Sequence, residues 1–393
     1  MKYNTTRLAN GLRVIHLPST SPVVYCGYEI NAGTASETAT EEGIAHFCEH
    51  ATFKGTACRD SLDIIRCLEN VGGDLNAYTT KTSTVYHSAI LREHFPLAVD
   101  LLSDIVFRSV YPQKEIEKEV EVICDEIESY NDSPAELIYD EFENLLFKNL
   151  PLGHSILGTA KTVRQFTSED AKRFTSRYYR PDNSVFFVYG DVDFNQVVAL
   201  LQQHTGDIVP TKPLQLDYTE DATATIVKGA ETYRASNIVV HKKTHQAHVM
   251  IGTRGYSVHD SRRIALYLLN NILGGPGMSA RLNLSLRERN GLVYTVESTF
   301  ASFSATGMWS TYFGCDPQDT ARCIALVHLV PVQTIFLFLI VEETIVAVED
   351  APQCLKVISR SGGESFRGDA RSAHEQREAT EKIGDGSRDA CRK

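Results

Sequence analysis

The amino-acid sequence predicts an α+β protein with two similar halves, each a mainly antiparallel sheet packed with helices. Segments with the two-residue period of strands alternate with helix-like segments over most of the 393 residues. The order strand, helix, aromatic strand pair, helix of residues 23–107 returns in residues 248–329. One repeat of this length favours two domains over a solenoid, whose units are shorter and more numerous.

The first half is predicted to begin with β structure and to continue as helices. Asn10-Gly11 lies between apolar stretches and favours a tight hairpin, and "PVVYCGYEINAG" predicts a strand. The period then changes in "TATEEGIAHFCEHATFKGT", which predicts a helix capped by Thr40 and closed by Gly55. A second helix, the paired strands of "LNAYTTKTSTVYHSAI" and the helix "FPLAVDLLSDIVF" follow, and Pro112 begins a long acidic helix.

The domain boundaries follow from changes in composition. We predict a first domain over residues 1–208, a linker over 209–234 and a second domain over 235–329, which is incomplete. The remaining residues, 330–393, form an atypical end that is polar and rich in Gly, Ser and Arg. We interpret this end as a disordered tail or as the product of a frameshift near residue 330.

The composition excludes some classes of function. The net charge of -11, from 50 acidic and 39 basic residues, argues against nucleic-acid binding and leaves room for basic substrates. The apolar run 324–341 is interrupted by His328, Pro331 and Gln333, so we expect no membrane span. Nine cysteines without a CxxC pair and a start without a secretory apolar segment indicate the cytoplasm, with an organelle matrix as the alternative.

The motif "HFCEH" is the strongest sign of chemistry in the chain. On a helix, His46 and His50 lie one turn apart on the same face, so both imidazoles can bind one metal ion, with Glu49 beside them. Zinc would need a third protein ligand and a fourth position open to water. The alternative from these five residues alone is an ordinary helix that contains two histidines.

The acidic helix after Pro112 offers candidates for the third ligand. Its apolar stripe is formed by Ile116, Val120, Ile123 and Ile127. Glu119 and Glu126 lie seven residues apart at one edge of this stripe, where a carboxylate can point into the protein, and Glu115 lies near the same edge. Such a pair is what a third ligand and a supporting hydrogen-bond partner require.

Other candidate sites are weaker. Cys48 lies between the two histidines but on the opposite side of the helix, which favours core packing over nucleophilic chemistry. A second metal site at His241, His245 and His248 is disfavoured against an exposed polar segment. The stretch "GGPGMSA" lacks the GK[ST] of a phosphate-binding loop.

The HxxEH motif resembles that of the pitrilysin (M16) family of zinc metallopeptidases. The stretches "NGLRVI", "NAGTASET", "NAYTTKTSTVYH", "PLGHSILGT" and "YYRPDNSVFFVYGDVD" are also similar to the family pattern. Within the family, the chain is similar to the short subfamily that includes the mitochondrial processing peptidase β subunit and bacterial relatives. The resemblance implies that His46, His50 and Glu126 bind one zinc ion, that Glu49 is the general base, and that Glu119 orients the site.

The resemblance also implies how a peptide is held. "LRERNGLVY" is similar to the family's pair of Arg and Tyr that contacts the scissile carbonyl and the substrate backbone, here Arg287 and Tyr294. Asn76, Ala77 and Tyr78 are expected to form an edge strand on which a peptide adds as a further strand.

The predicted function is zinc-dependent endopeptidase activity on peptides or unfolded, presequence-like segments. The expected assembly is a homodimer or a heterodimer with a related chain, since short members pair two chains into a closed chamber. The alternative is a catalytically inactive family member that serves as an assembly or peptide-binding subunit.

Overall fold

The computed structural model describes residues 2–210, 235–242, 244–332 and 344–349. The first half contains a six-stranded sheet with the spatial order β1-β2-β6-β3-β5-β4, in which only β2 and β6 are parallel neighbours. Its strands are β1 (Asn4–Arg7), β2 (Arg13–Pro18), β3 (Val23–Ile30), β4 (Asp74–Thr79), β5 (Thr84–Leu91) and β6 (Ser184–Gly190).

Helices lie between and after these strands in the sequence of the first half. They are α1 (Ile44–Thr52), α2 (Ser61–Glu69), α3 (Phe95–Arg108), α4 (Gln113–Asn131), α5 (Pro134–Leu146), α6 (Ala160–Val163), α7 (Ser168–Tyr178) and α8 (Phe194–Thr205). A core of buried side chains from the sheet and these helices holds the first half together, with Tyr28, Phe47 and Phe186 among the fully buried members. Full burial of one such side chain stabilises a fold by about 1.5–3 kcal/mol.

The second half repeats this arrangement with five strands in the order β7-β11-β8-β10-β9. Its elements are β7 (Asn237–His241), β8 (Ala247–Gly255), α9 (Arg263–Gly274), a π-helical segment (Asn283–Glu288), β9 (Val293–Ser302), β10 (Gly307–Cys315), α10 (Thr320–Val332) and β11 (Thr344–Glu349). The predicted fold class, α+β with mainly antiparallel sheets, is confirmed. None of the described helices is both long enough and apolar enough to cross a membrane.

The five described strands of the second sheet correspond to β2, β6, β3, β5 and β4 of the first sheet. β11 is parallel to β7 and antiparallel to β8, just as β6 is parallel to β2 and antiparallel to β3. β11 therefore takes the place in the second sheet that β6 takes in the first. The structure differs here from the predicted end of the second domain at residue 329, because the last strand of its sheet comes from residues 344–349. The predicted linker is described only at 209–210, and the rest of the predicted tail lies outside the described residues.

The two halves share a smaller core at their junction. Phe142 and Leu146 on α5 pack there with Met250 of β8 and Met308 of β10. A polar contact reinforces the junction, since Tyr139 donates a hydrogen bond to Glu297 with an O···O distance of 2.6 Å. Helix α5 is thus packed against the second sheet.

Candidate metal centre and active site

The helix α1, which carries both histidines, is held at its start by a buried carboxylate. Glu37 accepts hydrogen bonds from the backbone N–H groups of Gly43 (2.9 Å) and Ala45 (2.8 Å) and lies 3.0 Å from His154 Nε2. Burial raises the pKa of Glu37, and these hydrogen bonds oppose that rise. The predicted N-cap at Thr40 is wrong, because the helix begins only after Gly43 and Glu37 supplies the acceptors.

The donor atoms of His46, His50 and Glu126 converge. Glu126 Oε2 on α4 lies 3.4 Å from His50 Nε2 and 3.7 Å from His46 Nε2. A tetrahedral zinc ion with bonds of about 2.0–2.1 Å keeps its ligand atoms about 3.3–3.4 Å apart. These two separations are close to that value, and all three ligand atoms lie within 4.8 Å of one another, so the arrangement is compatible with one zinc ion. They are the one group of three potential metal-ligating side chains found among the described residues.

The charges at this cluster also suit a cation. Burial, followed by the nearby charge of His50, lowers the pKa of His46 to about 3, so its imidazole is neutral near pH 7 and can donate a lone pair. His46 Nδ1 is buried and has no hydrogen-bond partner among the described groups. The side chain of Glu126 is 44% exposed, which leaves the cluster open on one side.

Glu119 on α4 contacts His50. Its Oε1 accepts a hydrogen bond from His50 Nδ1 at 2.9 Å, and its Oε2 lies 2.6 Å from Lys54 Nζ. Burial works to raise the pKa of Glu119, but the hydrogen bonds from His50 and Lys54 outweigh it and lower the pKa. The ionised carboxylate holds Nδ1–H of His50, so that Nε2 is the nitrogen left to face Glu126.

Glu49 lies on α1 with His46 and His50, and it is 8% exposed. Its Oε2 accepts a hydrogen bond from Thr79 Oγ1 at 2.5 Å. Burial raises the pKa of Glu49 and the nearby Glu126 adds to the rise, whereas the Thr79 hydrogen bond and His50 work to lower it. A carboxylate with a raised pKa beside a metal-ligand cluster is suited to accept and return a proton.

Thr79 is the last residue of β4, which also carries Asn76, Ala77 and Tyr78. β4 lies at the edge of the sheet and pairs along one side with β5. Asn76 and Tyr78 are exposed, while Ala77 packs partly against the core. The edge strand and the Glu49 carboxylate are thus connected through a single side chain.

Arg287 and Tyr294 lie in the second half, where the Arg287 guanidinium carbon is 5.5 Å from the centre of the Tyr294 ring. Both line a cavity of about 410 Å³ with residues of α9 and β9, and Tyr294 is 81% exposed. Their described side-chain contacts do not reach the histidine cluster.

The weaker candidates occupy ordinary structural positions. Cys48 is fully buried with its thiol near the Ala171 carbonyl oxygen, and His248 lies 2.9 Å from the Tyr312 hydroxyl. Sequence reasoning did not find the roles of Glu37, Thr79 and Lys54. Of these three, only Lys54 could have been found from the sequence. It follows His50 by four residues and therefore continues the helix face of His46 and His50.

Comparison with known proteins agrees with the resemblance. The family described as insulinase (peptidase family M16) matches residues 13–160, and the peptidase M16 inactive domain matches residues 165–328. An uncharacterized zinc protease of Streptomyces coelicolor is 35% identical over 321 residues, which cover 80% of this chain and 68% of that protein. An uncharacterized zinc protease of Bacillus subtilis is 33% identical over 307 residues, which cover 78% of this chain and 72% of that protein.

Solved structures show the same fold. A peptidase M16 inactive domain from Pseudomonas fluorescens superposes with a TM-score of 0.77 at 19% identity, covering 89% of this chain and 99% of that one. A protease from Helicobacter pylori has a TM-score of 0.75 at 21% identity, covering 88% of this chain and 99% of that one. Fold and sequence thus place the chain among proteins of the zinc-protease class. It belongs to peptidase family M16, the pitrilysin-like family.

Proposed function

We propose that the chain is a zinc-dependent endopeptidase that hydrolyses peptides or unfolded, presequence-like segments. The observation that carries this proposal is the convergence of His46, His50 and Glu126 within 4.8 Å, with the Glu49 carboxylate on the same helix. Zinc bound by these three side chains would lower the pKa of a bound water towards 7 and polarise the scissile carbonyl.

Individual side chains of the protein are assigned to proton transfer, to the orientation of His50 and to substrate contact. Glu49 accepts a proton from the attacking water and delivers it to the leaving amine, which a pKa raised by burial favours. Glu119 keeps His50 in the tautomer that offers Nε2 to the metal. Arg287 and Tyr294 contact the scissile carbonyl and the substrate backbone, as the family resemblance implies.

The edge strand β4 supplies the proposed peptide-binding surface. A substrate strand added beside Asn76, Ala77 and Tyr78 would be held by backbone hydrogen bonds, which depend little on the substrate sequence. Because Thr79 at the end of the same strand contacts Glu49, such a peptide would pass close to the proposed base. The excess of acidic residues favours substrates with basic character.

We propose a dimer, either of two copies or with a related chain, as the active assembly. The described side-chain contacts of Arg287 and Tyr294 lie in the second half. In a dimer, the Arg287 and Tyr294 pair of one chain would be brought to the proposed metal centre of the other chain. Near this pair, α9 exposes Ile264, Tyr267 and Leu268 by 60–63%, whereas the corresponding helix α1 is buried almost throughout. Light scattering tests the assembly, and an active monomer would refute it.

We assign the chain to a reducing compartment, with the cytoplasm first and an organelle matrix second. No disulfide joins the seven cysteines in the described part of the chain, which supports this assignment. Fractionation of cells that produce the protein tests it.

The decisive experiment compares the wild type with Glu49→Gln. We expect both proteins to bind one zinc per chain and only the wild type to cleave an unfolded peptide, because Gln cannot accept the proton. Glu128→Gln is the matched control, since Glu128 lies on the exposed face of α4. Equal cleavage by wild type and Glu49→Gln would refute the role of Glu49. A wild type that binds zinc but cleaves no peptide would support the alternative of an inactive subunit.

A further inference from the structure

A lysine just beyond the end of α1 contacts the carboxylate that is hydrogen-bonded to His50 of the proposed metal centre. Lys54 lies four residues after His50, and its Nζ atom is 2.6 Å from Glu119 Oε2. The Lys54 side chain is 23% exposed and that of Glu119 is 9% exposed, so this ion pair is largely shielded from water. Shielding makes both the pairing and its loss matter more than they would at an open surface.

The two oxygens of Glu119 have separate partners. Oε1 accepts from His50 Nδ1 at 2.9 Å, whereas Oε2 is paired with Lys54. The final torsion of a glutamate side chain is broad, so one hydrogen bond alone fixes the carboxylate plane poorly. The second contact, made by Lys54 from the opposite oxygen, restricts this rotation and keeps Oε1 directed at the imidazole.

We propose that Lys54 is a positioning residue for the metal centre, which acts through Glu119 to fix the imidazole of His50 with Nε2 beside Glu126. This inference rests on the zinc site of the proposed function. Lys54 touches neither the metal ligands nor the reacting groups in the described contacts, and its effect passes through one carboxylate. The chain Lys54, Glu119, His50 and Glu126 thus connects the end of α1 to both sides of the site.

A second lysine provides the comparison. Lys118 Nζ lies 2.7 Å from Glu115 Oε1, almost the same separation as in the Lys54 pair, but the Lys118 side chain is 70% exposed. Exposed pairs of this kind contribute little to stability. Lys118→Met therefore removes a lysine of the same region without touching Glu119.

The test measures the zinc affinity of metal-free protein by competition with a chelator. We expect Lys54→Met to weaken zinc binding by roughly threefold to tenfold, somewhat less than direct loss of an outer-shell partner, which costs about 10–100-fold. Lys54→Arg should recover most of the affinity because it retains a cation, and Lys118→Met should bind zinc as the wild type does. In a Glu119→Gln background, Lys54→Met should have little further effect.

A second readout does not depend on activity or on the metal. In metal-free protein labelled with ¹⁵N-histidine, at a pH high enough for His50 to be neutral, the wild type should show His50 protonated at Nδ1, and Lys54→Met should show a mixture of tautomers. Lys54→Gln replaces Lys54→Met if the latter does not fold, and denaturation of the metal-free variants checks folding.

Zinc affinity unchanged in Lys54→Met, or reduced by the same factor with and without Glu119, would overturn the inference while the proposed function stands. A wild type without zinc affinity would overturn both.

Discussion

Thr79→Val is expected to move the pH dependence of peptide cleavage to higher pH. The substitution keeps the shape of the side chain and suits a strand, but it removes the hydroxyl that donates to Glu49 Oε2. That hydrogen bond favours the ionised carboxylate, while burial favours the protonated form. Its loss therefore raises the pKa of Glu49 further, and a larger fraction of the base is protonated at acidic pH.

The size of the shift follows from the type of hydrogen bond. A hydrogen bond to a charged group contributes about 1.5–3 kcal/mol, and one pKa unit corresponds to about 1.4 kcal/mol. We expect the lower end of this range, a rise of about one unit, because water can replace part of the lost contact at this partly exposed strand residue.

The assay is the pH profile of kcat/KM for the zinc-loaded proteins, which reports groups of the free enzyme. The acid limb for Thr79→Val should lie about one pH unit above that of the wild type, so that cleavage on this limb falls about tenfold and recovers on the alkaline side. Thr79→Ser keeps the hydroxyl and should follow the wild-type profile. An unchanged acid limb in Thr79→Val, or an equal loss at every pH, would refute this reasoning.

Three further predictions concern stability and the metal. Gly43→Ala should lower the free energy of unfolding by about 1–3 kcal/mol, measured in urea, because a Cβ at φ 92° would lie 2.8 Å from the Leu157 carbonyl oxygen. Gly72→Ala, at φ 73° in open space, should cost less, and equal losses would contradict the role of the contact. Phe142→Ala should cost about 3–5 kcal/mol because this fully buried side chain fills the junction of the halves, whereas Leu62→Ala, 56% exposed, should cost about 0.5 kcal/mol or less. Free zinc at about 1,000 times its Kd should stabilise the chain by about 4 kcal/mol, and denaturation curves unaffected by zinc would count against the metal centre.

The long helix α4 shows what a periodic sequence specifies. The predicted apolar stripe is buried, Glu119 lies at its edge, and the charges of the other face are exposed at Glu117, Glu121, Asp125 and Glu128. A helix has a fixed angle per residue, so spacing along the chain determines which side chains share a face. The same regularity placed His46 and His50 together on α1.

Local capping was less predictable. Thr40, Glu41 and Glu42 form a plausible sequence signal for a helix start, yet α1 begins at Ile44. The actual cap, Glu37, acts across six to eight residues through a loop whose path depends on the close approach of Gly43 and the backbone near Gly158. Contacts of this kind depend on the tertiary structure, so no periodic pattern in the sequence predicts them.

The sequence by itself determined the fold class, the repeat of two halves and the shared helix face of His46 and His50, because strand and helix periods and the HxxEH spacing are local properties of the chain. Only the tertiary structure decided how Lys54 and Thr79 meet the site and where β11 completes the second sheet. Lys54 meets Glu119 across 65 positions of sequence, and Thr79 meets Glu49 across 30. Such contacts depend on how separate elements pack, and packing is set by the whole core rather than by any local pattern.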